Sequence, residues 1–224
     1  MRYRNDFIIP LIKNQKVLDL GFLGENKKVQ FSDLHKLVLK YSGKSSLGVD
    51  IHKDRITKLK KKGYNVLCDN VVSLEKLSKT NEKFDVILAG ELIEHVENLG
   101  IFLDNLKVFL KKNGIIILTT PNMLSLRHIA RHIFTGTEGP HWKDRKSEIK
   151  YGHVIGFTHF LMDNLLLRKG FTIEKKDYTI KSEYSGVRGN LEKIISKIFP
   201  RLAPNLIYVV KLKWKKKTYP EFMF

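Results

Sequence analysis

The sequence predicts an α/β fold built on a single doubly wound sheet of seven strands, mostly parallel, with an antiparallel strand near its C-terminal end. Two observations lead to this fold class. Short apolar runs alternate along the chain with segments whose apolar residues recur at helical spacing. Several of the apolar runs also end at an acidic residue or a glycine, as parallel strands do where their carboxyl ends form a ligand-binding edge.

The first of these strands and the turn after it organise the rest of the prediction. Val17–Leu20 is an apolar run with one carboxylate, and it is too short for a helix. Gly21 and Gly24 then supply the backbone freedom that a tight turn needs. Asp33–Tyr41 follows with apolar side chains at i, i+3, i+4 and i+7, which predicts a helix. The residues before this unit predict a short helix or arm packed over the strand.

The middle of the chain continues the alternation. The predicted elements are strands at Ser46–Ile51, Tyr64–Cys68, Phe84–Ala89 and Ile115–Thr120, and helices at Lys53–Lys62 and Asn98–Lys111. Phe84–Ala89 is nearly all apolar, so we expect it at the centre of the sheet. Gly114 is expected to end the helix that precedes the last of these strands.

A break in the pattern follows the fifth strand. Residues 123–152 contain glycine-bearing turns and several histidines without a clean period, which predicts an insert or lid on the substrate side. Beyond the insert, Thr158 can cap a helix over His159–Lys169, and Gly170 can end it. The sequence contains no internal repeat and no sign of a second domain, so residues 1–224 are interpreted as one domain.

The C-terminal part completes the predicted sheet and carries much positive charge. Phe171–Ile180 and Leu206–Leu212 predict two strands, with a helix at Leu191–Ile198 between them. The chain has a net charge of +18, which a lysine-rich solvated surface explains without any partner. Residues 193–224 form a basic C-terminal strand and tail around Trp214, and this segment could contact nucleic acid or the surface of a membrane.

Composition limits the classes of protein that remain. The single Cys68 excludes a disulfide framework and a cysteine-based zinc site. No apolar run approaches the roughly 18 residues that span a bilayer, and the first residues carry no apolar signal core. We therefore expect a soluble, cytoplasmic protein without a transmembrane segment.

Taken in order, the strand ends resemble those of the class I S-adenosylmethionine (SAM)-dependent methyltransferases over about residues 15–175. The matching segments are Val17–Gly21 for the first motif, Gly48–Asp50 for the ribose-binding acid, Cys68–Asn70 for the adenine-contacting turn, Phe84–Ile87 with Gly90–Val96 for the fourth strand, Leu110–Asn122 for the fifth, and Gly152–Phe171 after the insert. The resemblance implies a Rossmann-like domain, SAM as the cofactor and methyl transfer as the activity.

The resemblance also implies a cofactor site along the strand ends. Asp19 would orient the methionine part, Asp50 would accept from both ribose hydroxyls, and Asp69 would accept from the adenine amino group. The implied cofactor-binding residues are Asp19, Gly21, Gly24, Asp50, Asp69, Asn70 and Gly90. An alternative is that such acids only cap the turns and helices that follow them. The glycine loop departs from the family, because Leu23 and Glu25 replace two of its usual glycines.

The segment Glu91-x-x-Glu94-His95 carries the chemistry that the resemblance implies. It is similar to a segment of quinone, glycan and lipid O-methyltransferases, and of enzymes that 2′-O-methylate small RNAs. The implied catalytic residues are His95 or His153 as the general base, together with Glu91. In some of these relatives a divalent metal is bound, and here its ligands would be Glu91, Glu94, His95 and His153. We expect the reaction to proceed without metal.

The methyl acceptor is the least determined part of the prediction. A small molecule or a glycan or lipid precursor is favoured, RNA is the alternative, and a non-catalytic SAM-binding protein is a second alternative. His128 and His132 lie four residues apart and are interpreted as a basic wall of the acceptor pocket, because no third zinc ligand is evident. Trp142 in the insert could stack on an acceptor or form a small core.

Overall fold

The computed structural model describes residues 2–24, 31–136, 152–180 and 186–213. It confirms the predicted fold class, a doubly wound α/β sheet that is mostly parallel. The strands are β1 (Arg2–Tyr3), β2 (Val17–Leu20), β3 (Leu47–Asp50), β4 (Val66–Cys68), β5 (Phe84–Gly90), β6 (Leu110–Pro121), β7 (Phe171–Ile180) and β8 (Asn205–Leu212). The helices described are α1 (Arg4–Ile12), α2 (Asp33–Tyr41), α3 (Lys53–Lys61), α4 (Glu75–Ser78), α5 (Leu99–Phe109), α6 (Leu126–Thr135), α7 (His159–Arg168) and α8 (Gly186–Ile198).

The strands are ordered β1-β7-β8-β6-β5-β2-β3-β4 across the sheet. β8 is antiparallel to both β6 and β7, and the other neighbouring pairs are parallel. The chain moves outward from β2 through β3 to β4, and it then returns to the other side of β2 to form β5. The switch point therefore lies between β2 and β5, where open α/β sheets bind their ligands at the carboxyl ends.

Two hydrophobic layers enclose the sheet. On one face, α1 and α2 bury Ile8, Ile12 and Val38 against side chains of β2, β5 and β6. On the other face, α5 and α7 bury a larger set that includes Phe102 and Met162. Because β5 lies between β2 and β6 and contacts both layers, its side chains are almost all apolar, as predicted for a central strand.

Gly114 does not end a helix, and this prediction was wrong. Helix α5 stops at Phe109, and the chain enters β6 at once, so that Gly114 lies within the strand. The pairing register with β5 shifts in this region, from Phe84 opposite Leu110 to Val86 opposite Ile115. A Cβ atom at Gly114 would approach a Leu110 methyl carbon to 2.8 Å. Close packing at the register shift, and not a helix cap, explains this glycine.

Other differences from the sequence prediction lie at the sheet edge and in the insert. The two-residue strand β1 pairs with the end of β7 and adds an eighth strand. Residues 126–135, where no clean period was found, form helix α6. The remainder of the insert with Trp142, the loop position Glu25, and the tail from Trp214 onward lie outside the described residues. Within the described part of the chain, no helix is long and apolar enough to cross a membrane.

Candidate functional site

The chain turns away from the sheet directly after β2. Gly21 has a φ of 67°, in the left-handed region that favours glycine, and its N–H donates to the carbonyl oxygen of Val49 at 2.9 Å. A Cβ atom on Gly21 would lie 3.0 Å from a methyl carbon of Leu92, the residue that follows the end of β5 by two positions. The turn thus brings the ends of β2, β3 and β5 together. Gly24 lies at the last described position of this loop, next to the bridge between Leu23 and Phe31.

Asp19 is buried near the end of β2 and is held by a residue that the sequence prediction missed. His35 on α2 places its Nδ1 atom 2.8 Å from Oδ2 of Asp19, and both side chains are almost completely buried. The His35 ring also packs against Phe22 and Phe31, with centroids 4.4 and 4.9 Å away. Burial raises the pKa of the Asp19 carboxyl, while the hydrogen bond from His35 acts in the opposite direction.

Asp50, the residue expected to bind ribose, ends β3 and joins two turns. Its Oδ2 atom accepts from the Leu23 N–H at 3.1 Å, and its Oδ1 atom accepts from the His52 N–H at 3.2 Å. A carboxylate has about four lone-pair positions, so each oxygen retains capacity for another donor. The side chain is therefore an anchor for the glycine loop that can still accept hydrogen bonds from a ligand.

Asp69 has the capping role that was the alternative for the strand-end acids. Its Oδ2 atom accepts from the N–H groups of Lys76 and Leu77 at 2.8 and 2.9 Å, and its Oδ1 atom accepts from the Asn70 N–H at 2.9 Å. The residue before α4, Leu74, has no polar side chain and a φ of 51°, so Asp69 supplies the cap from a distance. Its carboxylate is thus largely used by the backbone, whereas the adjacent Asn70 is exposed.

Gly90 ends β5, and its lack of a side chain has a packing reason. A Cβ atom there would lie 2.1 Å from a methyl carbon of Leu34, so the Leu34 side chain would have to shift. The absence of a side chain at Gly90 lets Leu34 of α2 pack closely on the sheet at the switch point. Any contact between Gly90 and a cofactor stays a prediction.

Glu91 follows Gly90 in a conformation that is unusual for a residue with a side chain. Its φ is 52°, which costs on the order of 1–3 kcal/mol and is found mainly where function requires it. Its N–H donates to the Thr119 carbonyl oxygen at 2.9 Å, and the Thr119 hydroxyl donates to its Oε1 atom at 3.2 Å. The guanidinium of Arg4 lies 3.8 Å from the same oxygen.

Arg4 is the second residue that the sequence prediction missed. It begins α1 directly after β1. Strand β1 pairs with Thr179 of β7, Thr179 pairs with Asn205 of β8, and Asn205 pairs with Pro121 at the carboxyl end of β6. Arg4 therefore lies at this carboxyl edge of the sheet. The residue is only 5% exposed, and its Nε atom has no hydrogen-bond partner in the described part of the chain. The sequence does not indicate that Arg4 is buried. Arg2 lies two positions before it, and nothing in this short basic segment distinguishes one arginine from the other.

Three of the four predicted metal ligands come together beyond the end of β5. Glu94, His95 and His153 each offer one ligand atom, and these atoms lie within 4.8 Å of one another. The segment with His153 is held in place because the N–H groups of Val154 and Ile155 donate to the Glu94 carbonyl oxygen at 2.8 and 3.2 Å.

Glu91 is not part of this cluster among the described residues, and a role for it as a fourth ligand stays a prediction. Its left-handed backbone conformation turns the side chain back toward Thr119 and Arg4.

The tautomer of His95 follows from its partner. Its Nδ1 atom lies 3.1 Å from the carbonyl oxygen of Gly152, and a carbonyl oxygen can only accept, so Nδ1 carries the proton. The neutral ring therefore has its lone pair on Nε2. The His153 ring is inclined to it by 66°, with a centroid distance of 4.9 Å. This arrangement suits a base or a metal ligand.

Comparison with known proteins agrees with this geometry. The family model for the methyltransferase domain matches residues 11–176, most of the chain. The chain belongs to the methyltransferase domain family. The resemblance to class I SAM-dependent methyltransferases, drawn from the strand-end motifs, is thereby confirmed.

Solved structures agree on the fold of this methyltransferase. A SAM-dependent methyltransferase from Archaeoglobus fulgidus superimposes with a TM-score of 0.57 at 18% identity, covering 93% of this chain and 91% of that one. One from Mesorhizobium loti gives a TM-score of 0.57 at 13% identity, covering 92% and 94%.

Curated relatives of the methyltransferase are named ubiquinone biosynthesis O-methyltransferases. The protein from Pelagibacter ubique is 34% identical over 113 residues, which are 50% of this chain and 44% of that relative. The mitochondrial protein from Rattus norvegicus is 36% identical over 66 residues, 29% of this chain and 19% of that relative. The methyltransferase thus matches less than half the length of these two relatives.

The histidines of α6 do not form a metal site with any third residue in the described chain. The Nδ1 atom of His128 lies 2.9 Å from both the Asn122 carbonyl oxygen and the Ser125 hydroxyl. Burial lowers the pKa of His128, and the nearby Arg131 lowers it further. His132 is exposed on the same helix. A basic wall of an acceptor pocket stays a prediction for these residues of the methyltransferase.

Proposed function

We propose that this methyltransferase binds SAM across the ends of β2, β3 and β4 and transfers its methyl group to a hydroxyl oxygen of a small molecule, with His95 as the general base. One observation carries the proposal. The hydrogen bond from His95 Nδ1 to Gly152 fixes the tautomer, so that the neutral form of the ring has its lone pair on Nε2, beside the switch point.

The residues at the strand ends fit the chemical groups of the cofactor. Asp50 can accept from two ribose hydroxyls with the lone pairs that its backbone donors leave. Asn70 is exposed beyond β4, and within the described part of the chain its side chain is bound only through its oxygen, which accepts from the Val72 N–H at 2.8 Å. Its amide N–H₂ group can therefore meet a ring nitrogen of adenine. We assign the adenine contact to Asn70 because Asp69 is occupied as a cap.

Arg4 fits the carboxylate of the methionine part. It is a buried cation at the carboxyl edge, with an Nε donor that no described residue uses. Its ion pair with Glu91 is 3.8 Å long, which leaves the donors of the guanidinium available to an anionic ligand group. Glu91 and Thr119 would hold the guanidinium in place.

Bound SAM supplies an electrophilic methyl group on a sulfonium centre. Transfer to oxygen is an in-line displacement, so the chain's main contribution is to position the acceptor and to remove its hydroxyl proton. His95 Nε2 would take that proton, and Nδ1 would keep its own through the bond to Gly152. His153, within 4.8 Å of His95, would bind the acceptor hydroxyl or receive the proton afterward.

A metal-assisted form of the same reaction is the second candidate, and the cluster of Glu94, His95 and His153 favours it. One carboxylate and two imidazoles are a ligand set that holds a divalent cation with positions left open for a diol. The metal would then lower the pKa of the acceptor hydroxyl in place of a base. We retain the metal-free reaction as the prediction, because a single carboxylate is a weak site for a hard cation.

The acceptor class rests on the curated relatives and on the charge of the chain. Because these relatives are ubiquinone biosynthesis O-methyltransferases, we infer an aromatic or lipid-soluble hydroxyl compound of a quinone pathway as the acceptor. The net charge of +18 keeps RNA as the alternative, and the basic segment from residue 193 keeps contact with nucleic acid or a membrane surface open. We also propose that the protein acts in the cytoplasm and that residues 123–152 form a lid on the substrate side.

Transfer from isotopically labelled SAM separates these acceptors. The protein is incubated with a catechol, with a quinone precursor and with short RNA, and the labelled products are identified by mass spectrometry. Labelling of a phenolic oxygen supports the proposal. Labelling of RNA alone, with RNA binding that weakens steeply as salt rises, supports the alternative. Stoichiometric SAM binding without transfer to any acceptor would indicate a non-catalytic protein.

A further inference from the structure

Helices α6 and α8 expose large apolar side chains beside the site. Phe134 and Ile133 on α6 are 84% and 70% exposed, and Ile198 on α8 is 65% exposed. The set of six side chains, called the apolar patch from here on, is Ile133, Phe134, Leu191, Ile194, Ile198 and Phe199. Single exposed apolar residues are common on proteins, but a group on neighbouring helices marks an interaction surface.

Helix α8 has an inverted pattern of burial. Leu191, Ile194 and Ile198 recur at i, i+3 and i+7, so they form one stripe along the helix, and all three are more than half exposed. The side chains that the helix buries include the polar Glu192 and Ser196. A surface helix of a water-soluble domain normally does the reverse. The stripe is thus held outward by the fold.

The two helices are joined and lie at the carboxyl edge of the sheet. Arg127 on α6 donates to Glu192 on α8 at 3.0 Å. Helix α6 begins five residues after the end of β6, and the Asn122 side chain between them donates to the carbonyl oxygens of Arg201 and Ala203 at 2.9 and 2.8 Å. The apolar patch is therefore attached to the end of the strand that lies beside β5 and its Glu-x-x-Glu-His segment.

The two helices that carry the apolar patch contain more basic than acidic residues. Residues 126–135 contain Arg127 and Arg131 and no acidic residue. Residues 186–201 contain a single acid, Glu192, and it is buried against Arg127. Lys193 and Lys197 lie on the same helix as the stripe, and Arg201 follows shortly after its end.

We propose that the apolar patch and its basic residues bind the surface of an anionic lipid bilayer. Amphipathic helices with lysine and arginine beside large apolar side chains insert into the headgroup region, and anionic lipids add electrostatic attraction. A second copy of this chain fits less well, because a symmetric contact would bring the same cations together. Nucleic acid offers no apolar layer in which Phe134 and Ile198 could be buried.

Such a docked orientation gives the proposed function a supply of acceptor. The carboxyl edge would face the bilayer, so a lipid-soluble hydroxyl compound could reach His95 without crossing water. This part of the inference rests on the proposed function, whereas bilayer binding does not. Binding to vesicles is measured without SAM or an acceptor. A protein that does not bind vesicles could still transfer methyl groups, so the two proposals can fail separately.

Co-sedimentation with vesicles tests the inference. We expect binding to phosphatidylglycerol vesicles, weaker binding to phosphatidylcholine vesicles, and a decrease as salt rises. The double variants Ile133→Ser with Phe134→Ser, and Ile194→Ser with Ile198→Ser, should each weaken partitioning about tenfold or more. The matched control is Ile101→Ser with Val108→Ser on α5, two side chains that are also about half exposed, and it should bind as the wild type does.

Charge variants and the oligomeric state complete the test. Lys193→Gln with Lys197→Gln should weaken binding to anionic vesicles only, while the melting temperature stays within a few degrees of the wild type. If a double serine variant does not fold, this charge variant decides. Absence of binding to anionic vesicles, equal loss in the α5 control, or a dimer that the patch substitutions dissociate would overturn the inference.

Discussion

The Nδ1 atom of His95 donates to the carbonyl oxygen of Gly152 at 3.1 Å, across 57 positions of the chain. This contact ties the segment after the insert to the end of the central strand. It also fixes which ring nitrogen keeps a lone pair. The proposed chemistry depends on this relationship, because the sequence alone places a histidine near the switch point without determining its tautomer.

Replacing Asp50 and Asp69 separately distinguishes a ligand acid from a cap. Asp50→Asn should weaken SAM binding by about 1–3 kcal/mol, since ribose hydroxyls lose a charged acceptor. Asp69→Asn should instead lower the free energy of unfolding by about 1–2 kcal/mol, because Asp69 caps α4, and should change SAM affinity less. Calorimetric titration and denaturant unfolding measure the two effects. Equal SAM affinity for wild type and a folded Asp50→Asn variant contradicts the assigned role.

Arg4 gives a second test of the cofactor site. Arg4→Gln removes the charge proposed to bind the methionine carboxylate and should weaken SAM binding by about 1.5–3 kcal/mol. Arg4→Lys should restore only part of it, because a lysine lacks the planar fork of donors. Adenosine lacks the carboxylate, so its affinity, measured by the same titration, should not change. A similar loss for both ligands would show that Arg4 acts only by supporting the fold.

His159 predicts a dependence of stability on pH. The Tyr208 hydroxyl donates to Asp163 Oδ1 at 2.7 Å and accepts from His159 Nδ1, and burial together with the nearby Lys176 lowers the pKa of His159 to about 4. The unfolded chain therefore binds more protons between pH 6.5 and 4, and the contribution of neutral His159 is lost as the pH falls through that window.

With a discount for the partial exposure of the ring, this contribution is about 1–2 kcal/mol. The His159→Gln variant should reduce the difference in unfolding free energy between pH 4.5 and pH 7 by this amount, as measured by denaturant unfolding. An unchanged difference would show that protonation of His159 is not linked to folding.

Removal of metal tests the second form of the reaction. We expect methyl transfer to persist in chelator after dialysis. Glu94→Gln should reduce activity only by disturbing local packing, so added Mg²⁺, Mn²⁺ or Zn²⁺ should not restore it. Elemental analysis of the dialysed protein is the control. Loss of activity in chelator that a divalent cation restores, and a higher cation requirement in His153→Ala, would establish the metal-assisted form.

Sequence reasoning located the strands well, because apolar runs and their polar ends are local features. The limits of β2, α2 and β7 agree with the prediction. It failed at Gly114, where the same glycine could end a helix or relieve crowding in a strand, and the register of β5 and β6 decides between them.

The site was predicted only as far as its members are marked by motifs. Arg4 and His35 contribute to the site from helices. Arg4 contacts Glu91 and His35 contacts Asp19, and the sequence around the two helical residues does not indicate these buried contacts. Asp69 was placed correctly at a strand end, but its use depends on α4, which begins six residues later and has a leucine at its N-cap position.

Methyl transfer by wild type and His95→Ala, measured with labelled SAM and a catechol or quinone precursor, tests the central claim most directly. The account predicts transfer to a phenolic oxygen, a kcat that falls about 10²–10⁴-fold in the variant, and a SAM affinity that changes little. His159→Gln serves as the control histidine and should keep wild-type activity at neutral pH. Full activity in His95→Ala, or no transfer to any hydroxyl by the wild type, would contradict the account.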